Sequence, residues 1–226
     1  MAAWPAQRLG AIAGVAFVVL ALIATFVAGS VPKFNDSPAK IASFYQAHHS
    51  RTLLATVLSA AAAAFFVWLV ASIAVALREV GQGAWAAIAF GGGMAGIALA
   101  AAGDALAQVD AHVAREGDTR LVQGLYQTSG FLTTKAFWFA ALVGLAVGLG
   151  ALRGAVAGWY AWTSLGAALL LALGGVSVKQ GGFFSAGGGM VFIAFLALLV
   201  WALATSVVVW MSAAAEERPA PVTAPI

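Results

Sequence analysis

Long apolar stretches, each about as long as a membrane is thick, occupy most of this 226-residue chain. A helix needs about 20 apolar residues to cross the roughly 30 Å hydrocarbon core of a bilayer. Six stretches meet this length: Ala11–Gly29, Leu53–Leu77, Gly83–Ala107, Leu121–Leu152, Ala155–Gly175 and Met190–Met211. We therefore predict an all-α, polytopic membrane protein with six transmembrane helices.

The composition excludes several classes of protein. Hydrophobic residues make up 63% of the chain and charged residues 8%, whereas soluble domains have about 45–50% and about 25%. A soluble enzyme, a nucleic-acid binder and a disordered protein are excluded, and no nucleic-acid partner is expected. The absence of cysteine excludes disulfides and thiolate metal sites.

The stretches predict one transmembrane domain over residues 1–213. The first stretch is longer than the 7–15 apolar residues of a typical signal peptide, so we interpret it as a span. Residues 214–226 contain Pro219, Pro221 and Pro225 and no apolar period, which predicts a disordered tail.

Six spans place both termini on the same side of the membrane. The connections on that side are short, and we call it the short-loop end: 78–82 and 153–154. The opposite side, the long-loop end, carries 30–52, 108–120 and 176–189. We expect function at the long-loop end. Arginines in the short connections favour cytoplasmic termini, although a raw count of basic residues favours the opposite orientation.

Ser37-Pro38 predicts a helix start, with serine as the cap and proline at the first helical position. Ile41, Phe44, Tyr45 and His48 then fall on one stripe. This pattern predicts a short amphipathic helix between the first two spans, either lying at the membrane interface or capping the bundle.

Charges inside a span are costly and suggest function. Asp104 and Lys135 are two such residues. If the third helix continues through Val113 and the chain turns at Gly117, the two lie about 7–8 Å apart along the helix axis, within reach of an ion pair. Tyr126 and Gln127 belong to a small or polar stripe on the fourth helix, which we expect to face the interior or a wet cavity. The pair is interpreted either as a structural device that fixes the hairpin register or as part of a ligand pocket or proton path.

All the histidines lie at the long-loop end. Imidazole and carboxylate together bind divalent ions such as zinc or copper. The candidate metal ligands are His48, His49, His112 and Asp110, although their spacing matches no established motif. A divalent metal is the one cofactor considered; otherwise none is predicted, and the alternative is ordinary interfacial histidine.

Three short motifs surround the first long loop. They are Arg8-Leu9-Gly10, the segment from Asn35-Asp36-Ser37 to Ala47-His48-His49, and Arg51. With these motifs the chain resembles a family of small six-helix bacterial membrane proteins classed as a domain of unknown function. The resemblance implies the bacterial inner membrane and six spans, and brings no activity with it. Asp104 and Lys135 match no pattern of that family.

The leading hypothesis for function is a non-catalytic accessory or small-ligand-binding component of the bacterial inner membrane. Its expected partners are membrane lipids and either another membrane protein or a second copy of the chain. The alternative is a small transporter or proton-coupled permease that uses Asp104 and Lys135. A third hypothesis is an intramembrane metalloenzyme that uses the histidines.

Overall fold

The structure is a computed structural model that describes residues 6–155, 158–179 and 181–216. Within these residues the fold is helical, apart from an isolated bridge between Lys179 and Ser185, and the all-α prediction is confirmed. A π-helical segment, Ala151–Ala155, continues α5. The α-helices are α1 (Ala6–Ala28), α2 (Pro38–Ala47), α3 (His49–Glu79), α4 (Gly83–Val113), α5 (Thr119–Gly150), α6 (Gly158–Gly175) and α7 (Gly189–Glu216).

Five described helices are long and apolar enough to cross a membrane, by length and composition. α6 is not among them: it has 18 residues, and Trp159, Trp162 and Ser164 lower the hydropathy of its first turns. The count of six spans therefore stays a prediction. The five segments are Arg8–Ala28, His49–Glu79, Gly83–Val113, Thr119–Arg153 and Gly189–Ser212.

The six helices other than α2 form a closed ring in chain order. α1 packs on α3, and α3, α4, α5, α6 and α7 follow in sequence until α7 returns to α1. Neighbours run antiparallel. For example, Gly10 near the start of α1 lies against Ser72 late in α3, and Phe17 packs on Phe66 with ring centroids 4.8 Å apart. Helices on opposite sides of the ring barely touch, so its centre is filled by side chains or left open.

Glycine seams let neighbouring helices approach closely. A Cβ atom on Gly92 of α4 would lie 2.9 Å from the Phe139 carbonyl oxygen of α5, and one on Gly103 would lie 3.0 Å from the Ser129 oxygen. The first distance is shorter than real Cβ contacts and the second is at their lower limit, so a side chain at either glycine would force α4 and α5 to shift. Small residues have this use at helix contacts in membranes, where close packing replaces the hydrophobic drive.

The half of the ring nearer the short-loop end is closed by large buried side chains. Leu69 and Val70 of α3 meet Val143 of α5 and Trp201 of α7, and each is at most 1% exposed. The Trp201 indole donates a hydrogen bond of 3.1 Å to the Ser164 hydroxyl. These four side chains belong to one buried hydrophobic cluster, which occupies the ring at this level.

Local signals at the long-loop end act as the sequence predicts. α4 extends through Val113, and the chain turns at Gly117 with a φ of +90°, a conformation that favours glycine. Asp118 then caps α5, since its carboxylate accepts a 3.0 Å hydrogen bond from the Leu121 N–H. The predicted turn at Gly117 is confirmed.

α2 lies over the long-loop end of the ring and contacts α3, α4 and α5. Ser37 caps it and Pro38 is its first residue, as predicted. Ile41 and Tyr45 are buried against the ring, whereas Lys40 is exposed. α2 thus caps the bundle, and its position at a membrane interface stays a prediction.

An ion pair holds the segment before α2. The Asp36 carboxylate lies 2.9 Å from the Lys40 amino group and accepts a 2.8 Å hydrogen bond from the Lys33 N–H. The hydrogen bond from Lys40 and that from the Lys33 backbone lower the pKa of Asp36 below its ordinary value. The start of α2 is therefore tied to the loop that precedes it.

The predicted disordered tail falls largely beyond the part of the chain that the structure describes. α7 continues to Glu216, past the predicted domain end at residue 213. Residues 217–226 lie outside the described residues.

Candidate ligand cavity

A cavity of about 370 Å³ occupies the centre of the ring at the long-loop end. Side chains of α1, α3, α4, α5 and α7 form its wall, and Phe44 and Tyr45 of α2 form its roof. Pockets that hold small ligands have volumes of about 300–1,000 Å³ and mostly apolar walls. The cavity belongs to that class by size and lining.

The lining changes from polar to apolar with depth. Near the roof it includes Thr52, Thr56 and Ser59 of α3 together with Asp104 of α4. Deeper in the ring the lining is apolar, with Phe17 of α1 and Phe66 of α3 near the closed layer. A molecule lying along this cavity would have its polar end beneath α2 and its apolar end toward the middle of the ring.

Asp104 is half-buried and is the one acidic or basic side chain among the described residues that line the cavity. Its hydrogen-bonding neighbour is Ser59 on α3. A carboxylate in such surroundings needs a partner that replaces the water it has lost. One serine hydroxyl satisfies part of this requirement and leaves the remainder of the carboxylate facing the cavity.

The expected Asp104–Lys135 ion pair does not form, among the side chains that the structure describes. The Lys135 amino group donates a 2.9 Å hydrogen bond to the Gly175 oxygen at the end of α6, while Asp104 faces Ser59 on α3. The prediction used only the distance between the two residues along the helix axis, and the direction of each side chain around its helix also matters. Gly103 and Thr133 face each other across α4 and α5. Asp104 follows Gly103 by about 100°, and Lys135 follows Thr133 by about 200°, so their side chains point to different neighbours.

Tyr126 and Gln127 bind the loop between α1 and α2 and do not line the cavity. The Tyr126 hydroxyl donates a hydrogen bond to the Pro32 oxygen, and the Gln127 amide donates one of 3.2 Å to the Phe34 oxygen. The Phe34 ring occupies the space above Gly130, where a Cβ would lie 1.9 Å from it. The polar stripe of α5 thus holds this loop in place above the ring.

The structure brings together two of the candidate metal ligands. The rings of His49 and His112 lie 5.1 Å apart, whereas His48 stacks on Phe44 at 4.7 Å. No group of three or more potential ligands converges within the described residues. Arg115 lies close enough to act electrostatically on His49, and its positive charge would oppose a metal ion there. The metal site stays a prediction with two converging ligands.

Asp110 lies apart from the histidines, fully buried beneath α2. It is 0% exposed, and neither carboxylate oxygen has a hydrogen-bond partner among the described residues. Its surroundings include Tyr45 and Tyr126. Burial raises the pKa of the Tyr45 phenol, and the nearby charge of Asp110 adds to this effect. The sequence held a signal for this burial, because Asp110 follows the small residues Gly103 and Ala107 on one helix face.

The sequence predicted Asp104 as part of one possible ligand pocket, but not the other residues that form the cavity wall. Alanines form much of its wall, including Ala55, Ala62 and Ala63 of α3 and Ala100 of α4. An alanine that faces a cavity has the same pattern as one that faces a close neighbour. The alanine run 60–64 was the available signal, since small side chains on a ring helix leave space inside.

Comparisons of the chain with family models, with curated proteins and with solved structures find no significant match. The assignment of function therefore depends on the geometry of the ring.

Proposed function

We propose that the protein crosses the membrane six times, with α2 at the interface. α6 packs between α5 and α7 and is antiparallel to both, with Gly144 of α5 against Ser164 and Tyr160 bonded to Thr205 of α7. If its two neighbours cross the membrane, α6 is held at the same depth. Its exposed Leu169 and Leu173 suit contact with lipid.

The proposed location is the bacterial inner membrane, with both termini in the cytoplasm. Arg78 and Arg153 lie in the short connections, where the excess of basic residues predicts orientation best. Arg153 also lies 5.7 Å from the centre of the Trp85 ring, and Trp and Arg together are typical of a membrane–water boundary.

The proposed function is the binding of a small, mainly apolar molecule in the central cavity, without chemical conversion of that molecule. The observation that carries this proposal is the cavity of about 370 Å³ in the centre of the ring at its long-loop end. Its wall converges from separate helices, and Asp104 supplies one polar anchor. Membrane lipids fill the surroundings, and a lateral protein partner or a second copy of the chain stays a prediction.

The test is native mass spectrometry of protein extracted gently from its own membrane. We expect a discrete bound mass in the small-molecule range. Ala100→Leu places a larger side chain in the cavity and should abolish the bound mass. Ala98→Leu is the matched control, because Ala98 is an exposed residue of the same helix. Wild-type protein without a bound mass, or a mass that survives in Ala100→Leu, would contradict the proposal.

A second candidate function is a small permease. The observation that favours it is another cavity, of about 210 Å³, in the short-loop half of the ring. The layer containing Leu69 and Trp201 separates the two cavities, as a closed gate would. Since the Asp104–Lys135 pair is not formed, this proposal rests on Asp104 alone. It requires proton or substrate flux in reconstituted liposomes that Asp104→Asn abolishes, and equal flux in the variant would exclude it.

A further inference from the structure

The charge of the cavity wall favours one kind of polar end group. Asp104 contributes a carboxylate, and no lysine, arginine or histidine lines the cavity among the described residues. Two cations on the same helices are directed elsewhere: Arg51 donates to the Val27 oxygen and Lys135 to the Gly175 oxygen. A ligand that carried a carboxylate or phosphate at this end would meet like charge and find no positive partner.

The hydroxyl groups of the wall add acceptors more than donors. Thr25 donates to the Ala21 oxygen at 2.8 Å, Thr56 to the Leu53 oxygen at 2.9 Å and Thr133 to the Ser129 oxygen at 3.1 Å. Each hydroxyl has one proton to donate, so those three protons are already used within their own helices. The Thr56 oxygen also accepts a 3.0 Å hydrogen bond from the Gln108 amide. What Thr25 and Thr133 offer the cavity is oxygen lone pairs, which bind a ligand that donates hydrogen bonds.

The roof and the floor are aromatic. Phe44 and Tyr45 close the end near Asp104, and Phe17 and Phe66 lie at the deeper end. Aromatic faces attract ammonium groups, so the roof complements the same charge that Asp104 does. Ser59, beside Asp104, precedes Phe66 by seven residues of α3, or about 10 Å along the axis. This length suits an apolar chain of medium size.

We propose that the ligand of the central cavity is a cationic amphiphile, with one apolar chain that ends in a protonated amine bound by Asp104. The inference rests on the proposed binding function and specifies its ligand. The amine donates hydrogen bonds to Asp104 and to the hydroxyl oxygens near it. The chain extends between α1, α3 and α4 toward Phe66.

The experiment compares three probes of equal chain length and different end groups: octylammonium, octanol and octanoate. Each is titrated into the detergent-solubilised protein, and the bound fraction is measured by native mass spectrometry. Probe partitioning into the micelle is the same for every variant, so the ratio of wild type to variant reports binding to the protein. The variants are Asp104→Asn, Ala100→Leu and, as the matched control, Asp110→Asn, which removes a carboxylate of the same helix outside the cavity.

We expect octylammonium to bind the wild type more tightly than octanol, and octanoate to bind least. Asp104→Asn should weaken octylammonium by about tenfold or more, because a hydrogen bond to a charged group is lost. Octanol should change much less, which also shows that the variant retains its cavity. Asp110→Asn should weaken octylammonium much less than Asp104→Asn does, because Asp110 does not line the cavity.

Two unfavourable results are distinguishable. If Ala100→Leu weakens every probe while octanol or octanoate binds as well as octylammonium, the cavity binds ligands and the amine preference is wrong. If no probe responds to Ala100→Leu, the binding function itself is wrong. If Asp104→Asn does not fold, the order of the three dissociation constants on the wild-type protein decides the question, each expressed against the free aqueous concentration of its probe.

Discussion

The two halves of the ring differ in how completely they are packed and how well their polar groups are paired. In the short-loop half, Trp201 bonds to Ser164 within a layer of buried side chains, and Tyr160 bonds to Thr205 at 2.7 Å beside a smaller cavity of about 210 Å³. In the long-loop half, a cavity remains open, and buried Asp110 has no hydrogen-bond partner among the described residues. Native proteins satisfy nearly all buried polar groups, and exceptions call for a reason. The comparison indicates that the closed layer supplies stability, and the cavity of the other half is the site of our proposed ligand.

The largest effect on stability should come from truncating a large side chain in the buried layer of the short-loop half. Trp201 is 1% exposed, and Trp201→Ala should lower the free energy of unfolding by about 3–5 kcal/mol, because it leaves a large cavity. Denaturant titration in detergent measures this change. Trp162→Ala is the control: Trp162 is 68% exposed, so we expect a change within about 0.5 kcal/mol. Equal losses of unfolding free energy in the two variants would contradict the conclusion that Trp201 belongs to the core and Trp162 to the surface.

The next effect has the opposite sign and lies in the open half. Asp110→Asn should raise the free energy of unfolding by about 1–3 kcal/mol, since it removes the charge from a buried group that lacks partners. The same denaturant titration measures it. A decrease in stability would mean that the Asp110 carboxylate is held by a group that binds it specifically.

A smaller effect should be confined to the loop between α1 and α2, in the long-loop half. Tyr126→Phe removes the hydrogen bond to the Pro32 oxygen, at a cost of about 1 kcal/mol. Hydrogen exchange of the 29–37 backbone should accelerate, because that bond helps to hold the loop. Tyr160→Phe is the matched control, since it loses a hydroxyl bond in the closed half and should leave exchange of this loop unchanged. Faster loop exchange in both variants would show that the two halves are coupled.

The smallest effect is pH-dependent and confined to the start of α2. The folded protein lowers the pKa of Asp36 from its ordinary 3.8, so the carboxylate stabilises this segment above that pH. The contribution is lost as pH falls through the lowered pKa. In wild type, exchange near Lys33 should rise on acidification below pH 3.8, after correction for the intrinsic rate. Asp36→Asn should show raised exchange already at neutral pH and little further change, and a variant that responds to acid as wild type does would assign the effect to another group.

Local signals were the part of the structure that could be predicted. Ser37-Pro38 starts α2, and Gly117 with Asp118 ends one helix and begins the next, because caps and turns depend on a few neighbouring residues. The apolar runs predicted the long helices, because the length of an apolar stretch is also a property of neighbouring residues in the sequence. None of these signals requires knowledge of how one helix is rotated against another.

The site could not be predicted because it depends on how each helix is rotated about its axis and on the empty volume left between the helices. Asp104 and Lys135 lie at similar levels, yet they point to α3 and α6. Asp110 was grouped with the histidines near it in sequence, although the helix turns it inward beneath α2. In the sequence, the alanines of the cavity wall cannot be distinguished from alanines that pack against a neighbouring helix.

The closure of the ring by its first and last helices has a consequence for synthesis. α1 meets α7 at Gly14, where a Cβ would lie 2.0 Å from the Ser206 hydroxyl, and the residues that meet are 192 positions apart along the chain. Helices enter the membrane in order as the ribosome makes them. The surface of α1 that contacts α7 therefore has no helix partner until α7 has been synthesised. Phe195 and Leu198 complete the cavity wall and are made with that last helix. If these helices cross the membrane as we propose, the nascent protein has an open groove in place of the cavity, and the proposed ligand would be retained only after the final insertion step.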